Sequence, residues 1–259
     1  MADVDPRGTG EGDLDVAAGG EAGGEVVADW SEPERYRALP ERSTAWLYQL
    51  GGGVLLLLGV VLGLIVLVAE SELDSSDLPY NRWFFTTARA HPALAQFAAD
   101  AQVGGSVVVA SAVGLCFGIV LVALRRWRWL AFFVTSAVGG AIISEVVKNV
   151  VQRQRPVWPD PFFIEKGFSY PSGHTLSGIT MWVAMGVVLL FILPKPWSTV
   201  LGFAVMLFGV LLGPSRWLYG VHWISDVVGG WLFGLGWLLL VTGIYLRRWG
   251  TSNGTRAIT

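Results

Sequence analysis

Three separated stretches of the 259-residue chain combine cations, histidines and a carboxylate at spacings suited to phosphoryl chemistry. The first runs from Lys148 across six residues to Arg155 and Pro156. The second reads Pro171, Ser172, Gly173, His174. The third begins Ser215, Arg216, then crosses five residues to His222 and three more to Asp226. His222 and Asp226 stand four apart at the start of an apolar block, so a helix there puts both side chains on one face. The carboxylate can accept a proton from one imidazole nitrogen, which fixes the tautomer and leaves the other nitrogen free to attack. Ser172 and Gly173 open another apolar block, where unpaired backbone N–H groups and the positive end of a helix dipole can cradle an anion. Lys148, Arg155 and Arg216 add three cations, matching the spread negative charge of a phosphoryl group in transfer. His174, beside the cradle, is placed to protonate a leaving alkoxide or phosphate.

The elements that must position these residues are membrane helices. The chain is 53% hydrophobic and only 15% charged, with a mean hydropathy of +0.54, whereas a soluble domain carries about 25% charged residues. The apolar residues form six blocks, near 46–69, 103–124, 129–147, 174–193, 197–214 and 224–246. Each approaches the roughly 20 residues that cross a bilayer core of about 30 Å as a helix. The expected fold is therefore all-α, a six-transmembrane-helix bundle spanning 44–250. It is preceded by an acidic, disordered cytoplasmic tail at 1–43 and followed by a short cytoplasmic tail at 251–259. The first 43 residues hold eleven Asp/Glu against four Arg, too little apolar content to offset the entropy of ordering. They lack the basic start and apolar run of a cleavable signal peptide, so the first apolar block is expected to serve as an uncleaved signal. Cys116 stands alone and fixes no redox compartment.

Basic residues in short loops resist translocation. Arg35, Arg37, Arg42, Arg125, Arg126, Arg128, Lys195, Arg247 and Arg248 fall on one side, which predicts that both termini are cytoplasmic. Lys148, Arg153, Arg155, Lys166 and Arg216 fall on the other side and break that rule, which points to a separate task for them. The long connection after the first block, with Trp83, Phe84, Phe85, Leu94 and Phe97 among polar residues, is expected to form one or two helices at the interface. It reads chiefly as a packing lid.

The three stretches resemble the type 2 phosphatidic acid phosphatase superfamily, whose signature is K-x6-RP, PSGH and SR-x5-H-x3-D. All eleven fixed positions are present, in order and at the family spacing, and the resemblance covers about 46–246. It implies a membrane lipid phosphatase in which His222 forms a phosphohistidine, Asp226 orients it and His174 is the general acid. It also implies that Lys148, Arg155, Ser172, Gly173 and Arg216 bind phosphate, with no metal and no cofactor. The implied partners are a lipid phosphate and the bilayer, with no nucleic acid. The substrates it implies are phosphatidic acid, phosphatidylglycerol phosphate or a polyprenyl diphosphate, the last favoured slightly by a site on the extracytoplasmic face.

Other readings belong to different classes. The same motifs occur in vanadium-dependent haloperoxidases, which are soluble and lack six spans. A lipid phosphotransferase shares the first half of the chemistry. An anionic-lipid binding or transport protein would need the cations but no oriented nucleophile. Glu145, one turn before Lys148 within an apolar block, is a functional candidate by depth; it reads as a structural ion pair with Lys148 or with a neighbouring helix. Asp160 and Glu165 read as scattered loop carboxylates rather than a magnesium cluster.

Overall fold

Long apolar runs must satisfy their backbone polar groups internally inside a bilayer, and helices do this. In the computed structural model, which describes residues 37–252, the elements are helices α1 (Ala45–Val68), α2 (Glu70–Ala90), α3 (Pro92–Gly104), α4 (Val107–Ala123), α5 (Trp127–Val151), α6 (Gly173–Ser177), α7 (Ala184–Ile192), α8 (Trp197–Tyr219) and α9 (Ile224–Trp249). A π-helical turn, Gly178–Val183, joins α6 to α7 into one span, Gly173–Ile192. Among the described residues, five helices are long and apolar enough to cross a membrane, and α3 with α4, bent by 58°, is either a broken sixth span or a re-entrant pair. The all-helical, multi-span architecture expected from the sequence is present. Most of the 1–43 tail and most of the 251–259 tail lie outside the described residues.

The boundaries differ from the apolar blocks where polar residues continue a helix. The second block was expected to start at 103, but α3 stops at Gly104–Gly105 and Ser106 caps α4, its hydroxyl accepting from the Val109 amide at 3.4 Å. The connection after α1 becomes two helices, α2 and α3. Helix α5 runs on to Val151 and α8 to Tyr219, so Lys148 and Arg216 sit in last helical turns rather than in loops. Gly220, at φ 73°, then ends α8 in the left-handed conformation glycine accepts freely.

Helix α1 packs along α9 by close backbone approach. A Cβ on Gly52 would lie 2.7 Å from the Gly236 carbonyl oxygen and 2.9 Å from the Leu240 amide nitrogen, both immovable backbone atoms. Small residues at such seams are how helices associate in lipid. Gly52→Ala is expected to cost about 1–3 kcal/mol and lower the thermal midpoint in detergent. Gly53→Ala, whose Cβ would meet nothing within 4 Å, should leave the midpoint unchanged; melting both variants side by side checks the seam.

Alternating chain direction gathers the end of α5, the start of α6, the end of α8 and the start of α9 at one end of the bundle, beside α2. The opposite end collects the basic residues of the short loops. There Arg42 Nε donates to the Gly250 carbonyl at 2.7 Å, Arg37 donates to Thr199 Oγ1 at 2.9 Å, and Arg125, Arg126 and Arg128 surround a cavity of about 280 Å³.

Candidate active site

The turn between α8 and α9 carries His222, 1% exposed and held between two partners of opposite charge. Its Nδ1 lies 3.2 Å from Asp226 Oδ2 and its Nε2 lies 2.9 Å from Arg155 Nη1. A guanidinium nitrogen can only donate. Nε2 must therefore accept, the ring proton resides on Nδ1, and Nδ1–H donates to Asp226. Burial pushes the His222 pKa well below the ordinary histidine range, and the charges of Arg155, Lys148 and Arg216 push it further. The imidazole is a neutral base at pH 7, with its Nε2 lone pair turned toward the cations.

Asp226 is fully buried and surrounded by donors. Its Oδ2 accepts from the Trp223 amide at 2.8 Å and from Ser169 Oγ, and its Oδ1 accepts from Arg153 Nη1 at 2.8 Å. The Asp226 carbonyl accepts from the Ser172 amide at 3.0 Å, which ties the start of α6 to the start of α9. That bond corrects part of the expected anion cradle. The Ser172 amide is already used within the protein, and the Ser172 hydroxyl caps α6 by accepting from the Thr175 amide at 3.4 Å. Gly173 stays close to the cations, since a Cβ there would sit 3.7 Å from Lys148 Cε.

The cations share acceptors on the loop between α5 and α6. Lys148 Nζ donates to the Phe168 carbonyl at 2.7 Å, and Arg155 Nη2 donates to the same oxygen at 3.2 Å. Arg155 also donates to the carbonyls of Val221 at 2.8 Å and Gly167 at 3.1 Å, and burial lowers its pKa below the usual arginine range. Arg216, with no exposed surface, donates to Gln102 Oε1 and to Ser215 Oγ at 3.2 Å. His174 Nε2 lies 3.3 Å from the Gln102 carbonyl. Glu165 stands between two of the cations, its Oε1 3.4 Å from Arg155 Nη2 and its Oε2 4.0 Å from Arg216 Nη1. A cavity of about 380 Å³ lined by Arg155, Trp158, Phe163, Glu165 and Val221 opens beside this group.

All eight residues singled out in the sequence thus converge on one end of the bundle. Sequence reasoning missed several that join them: Ser169, Gln102, Asn81, Asp74 and Asp77. Arg153 was legible only as a cation on the unexpected side. Glu145 does not pair with Lys148, contrary to expectation. Lys148 turns inward to Phe168, and the exposed Glu145 accepts from Asn149 Nδ2 at 2.8 Å, one turn along its own helix.

Residues 128–249 match the PAP2 superfamily. The chain is 32% identical over 104 residues to a phosphatidylglycerophosphatase B of Bacillus subtilis, an alignment covering 39% of this chain and 51% of the relative. It is 33% identical over 116 residues to an undecaprenyl-diphosphatase of Sulfolobus acidocaldarius, covering 42% of this chain and 52% of that protein. The chain thus spans about half the length of these curated relatives. A crystal structure of a transmembrane PAP2-type phosphatidylglycerolphosphate phosphatase from Bacillus subtilis shares the fold, with a TM-score of 0.61 at 23% identity, over 74% of this chain and 94% of that one.

Proposed function

Starting from a chain whose residues 128–249 match the PAP2 superfamily, we propose that the protein is an integral membrane, metal-independent phosphatase of lipid phosphates. The observation that carries this reading is the His222 ring, proton toward Asp226 and Nε2 toward Arg155. A binding protein needs the cations but gains nothing from an oriented, neutral nucleophile. The substrate phosphate seats among Lys148, Arg155, Arg216 and the first amides of α6. Nε2 attacks phosphorus, the bond to the leaving oxygen breaks, and His174 supplies that oxygen's proton. Water, deprotonated by His174, then attacks the phosphohistidine, releasing inorganic phosphate and restoring Nε2. Three cations at the developing charge do the work a metal ion does elsewhere.

The lipid tail stays in the bilayer while the head enters from the extracytoplasmic face, opposite the basic short loops. The substrate class is a phosphomonoester or diphosphate of a lipid: a polyprenyl diphosphate, phosphatidic acid or phosphatidylglycerol phosphate. The names of the two curated relatives support the phosphatidylglycerol phosphate and polyprenyl diphosphate members of that range. The test is phosphate release by detergent-purified protein in EDTA across these three lipids. Release in EDTA is expected, and a strict magnesium requirement contradicts the proposal. Vanadate should inhibit competitively, because it adopts the five-coordinate geometry the cations are arranged to hold; insensitivity argues against the phosphohistidine route. Lipid binding without release of phosphate would favour the binding protein, and transfer to a second lipid the phosphotransferase.

A further inference from the structure

We infer that Arg153, anchored by α2, is the positioning residue that aims Asp226 at His222. The inference rests on the reading of His222 as nucleophile and adds a part of the chain outside the matched PAP2 region. Arg153 has no exposed surface, yet every arm of its guanidinium is engaged. Nη1 donates to Ser225 Oγ at 2.6 Å and to Asp226 Oδ1 at 2.8 Å. Nε and Nη2 donate to Asp74 Oδ1 at 3.1 and 2.6 Å, and Nη2 reaches Asp77 Oδ2 at 3.2 Å. Asp77 Oδ2 also accepts from the Ser225 amide at 3.3 Å and from Ser225 Oγ.

The third α2 residue grips the turn itself. Asn81 Nδ2 donates to the His222 carbonyl at 2.7 Å, and Asn81 Oδ1 accepts from the Ile224 amide at 3.1 Å. Asp74, Asp77 and Asn81 are spaced by three and four residues, so they share one helical face. That face meets the backbone of the nucleophile's turn directly and its carboxylate through Arg153. Asp226 has two oxygens and one correct plane. With Oδ1 pinned by Arg153, the carboxylate cannot rotate, and Oδ2 stays in line with His222 Nδ1. Without the pin, only Ser169 and the Trp223 amide hold Oδ2, so its alignment with Nδ1 loosens and the Nδ1–H bond weakens, while Arg155 keeps the lone pair on Nε2.

The experiment is a double-mutant cycle with a spectroscopic arm. Arg153→Met should lower kcat about 10–100-fold, the usual scale for a group that orients a reacting one, with KM nearly unchanged. Arg153→Lys should recover little, since an ammonium lacks the planar fork. In an Asp226→Asn background, Arg153→Met should cost less than about twofold further, because its only route of action is gone. An equal loss in both backgrounds overturns the inference. Should Arg153→Met fail to fold, Arg153→Lys keeps the buried charge but cannot hold Asp74 and Asp226 at once, and the cycle is read with it by the same criterion. Histidine ring 15N NMR is tractable with three histidines in the chain. The His222 Nδ1–H signal should move toward that of a more weakly hydrogen-bonded N–H in Arg153→Met or Arg153→Lys, and an unchanged signal again overturns the inference. Absence of turnover in the unmutated protein would instead defeat the phosphatase reading, leaving the NMR test to decide this one.

Discussion

His222→Ala is expected to abolish lipid phosphate hydrolysis, with kcat reduced by about 10⁴-fold or more, the scale seen when a covalent nucleophile is removed. The loss should lie in kcat. Lys148, Arg155 and Arg216 do not depend on the imidazole for their main anchors: Lys148 holds Phe168, Arg155 holds Val221 and Gly167, and Arg216 holds Gln102 and Ser215. The phosphate should still bind, and KM should change little. Asp226 also keeps Arg153, Ser169 and the Trp223 amide as partners, so the variant should remain folded with a modest drop in melting temperature. Steady-state kinetics on a detergent-dispersed lipid phosphate, with a thermal melt of the same preparation, separates lost chemistry from lost structure. Residual turnover within tenfold of the parent would move the nucleophile elsewhere.

Asp226→Asn should be nearly as damaging although it removes no atom from the substrate's path. Four donors face the two carboxylate oxygens: His222 Nδ1–H, Ser169 Oγ–H, the Trp223 amide and Arg153 Nη1. An amide offers one oxygen and brings two N–H groups of its own. If its oxygen faces Arg153, its NH₂ meets His222, and the ring must accept at Nδ1 and carry its proton on Nε2. That proton then points at Arg155 and occupies the lone pair that should attack phosphorus. A loss of about 10⁴-fold in kcat is the known scale for such a tautomer change in a hydrolase triad. The fold should survive, because Arg153 keeps Asp74 and Asp77 as counter-ions. Kinetics at saturating lipid, alongside the melt, checks both halves. A loss smaller than about tenfold would mean that Asp226 does not govern the tautomer.

Sequence made the candidate site legible because the proposed chemistry demands fixed spacings at helix ends. His222 and Asp226 were expected to share a helical face; His222 instead precedes α9, and the two meet across its first turn, Nδ1 to Oδ2 at 3.2 Å, while Ser172 and Gly173 do open a helix. Five of the six expected spans were legible by length and composition, and the second block became α4 of the bent α3–α4 pair. Boundaries were less so: the polar residues Lys148 and Arg216 read as loop residues, yet both lie within helices. What sequence did not show is pairing over long separations. Arg153 meets Asp74 across 79 positions, and Asn81 meets His222 across 141; neither leaves a local pattern. The face made by Asp74, Asp77 and Asn81 has helical spacing, but its partners lie on other elements, so the spacing alone reads as a solvated surface. The Ser172 amide illustrates the opposite error. A helix start predicts a free donor, and only the fold reveals that Asp226 has claimed it.

The proposed mechanism requires a covalent bond between His222 Nε2 and phosphorus. The decisive experiment is rapid quenching of the protein with a lipid carrying a labelled terminal phosphate, into base rather than acid. The expected result is a base-stable, acid-labile phosphoryl group on the peptide containing His222, appearing in a burst no larger than the enzyme concentration and absent from His222→Ala. Turnover proceeding in the parent with no labelled protein at any quench time, or label that persists in His222→Ala, would contradict it.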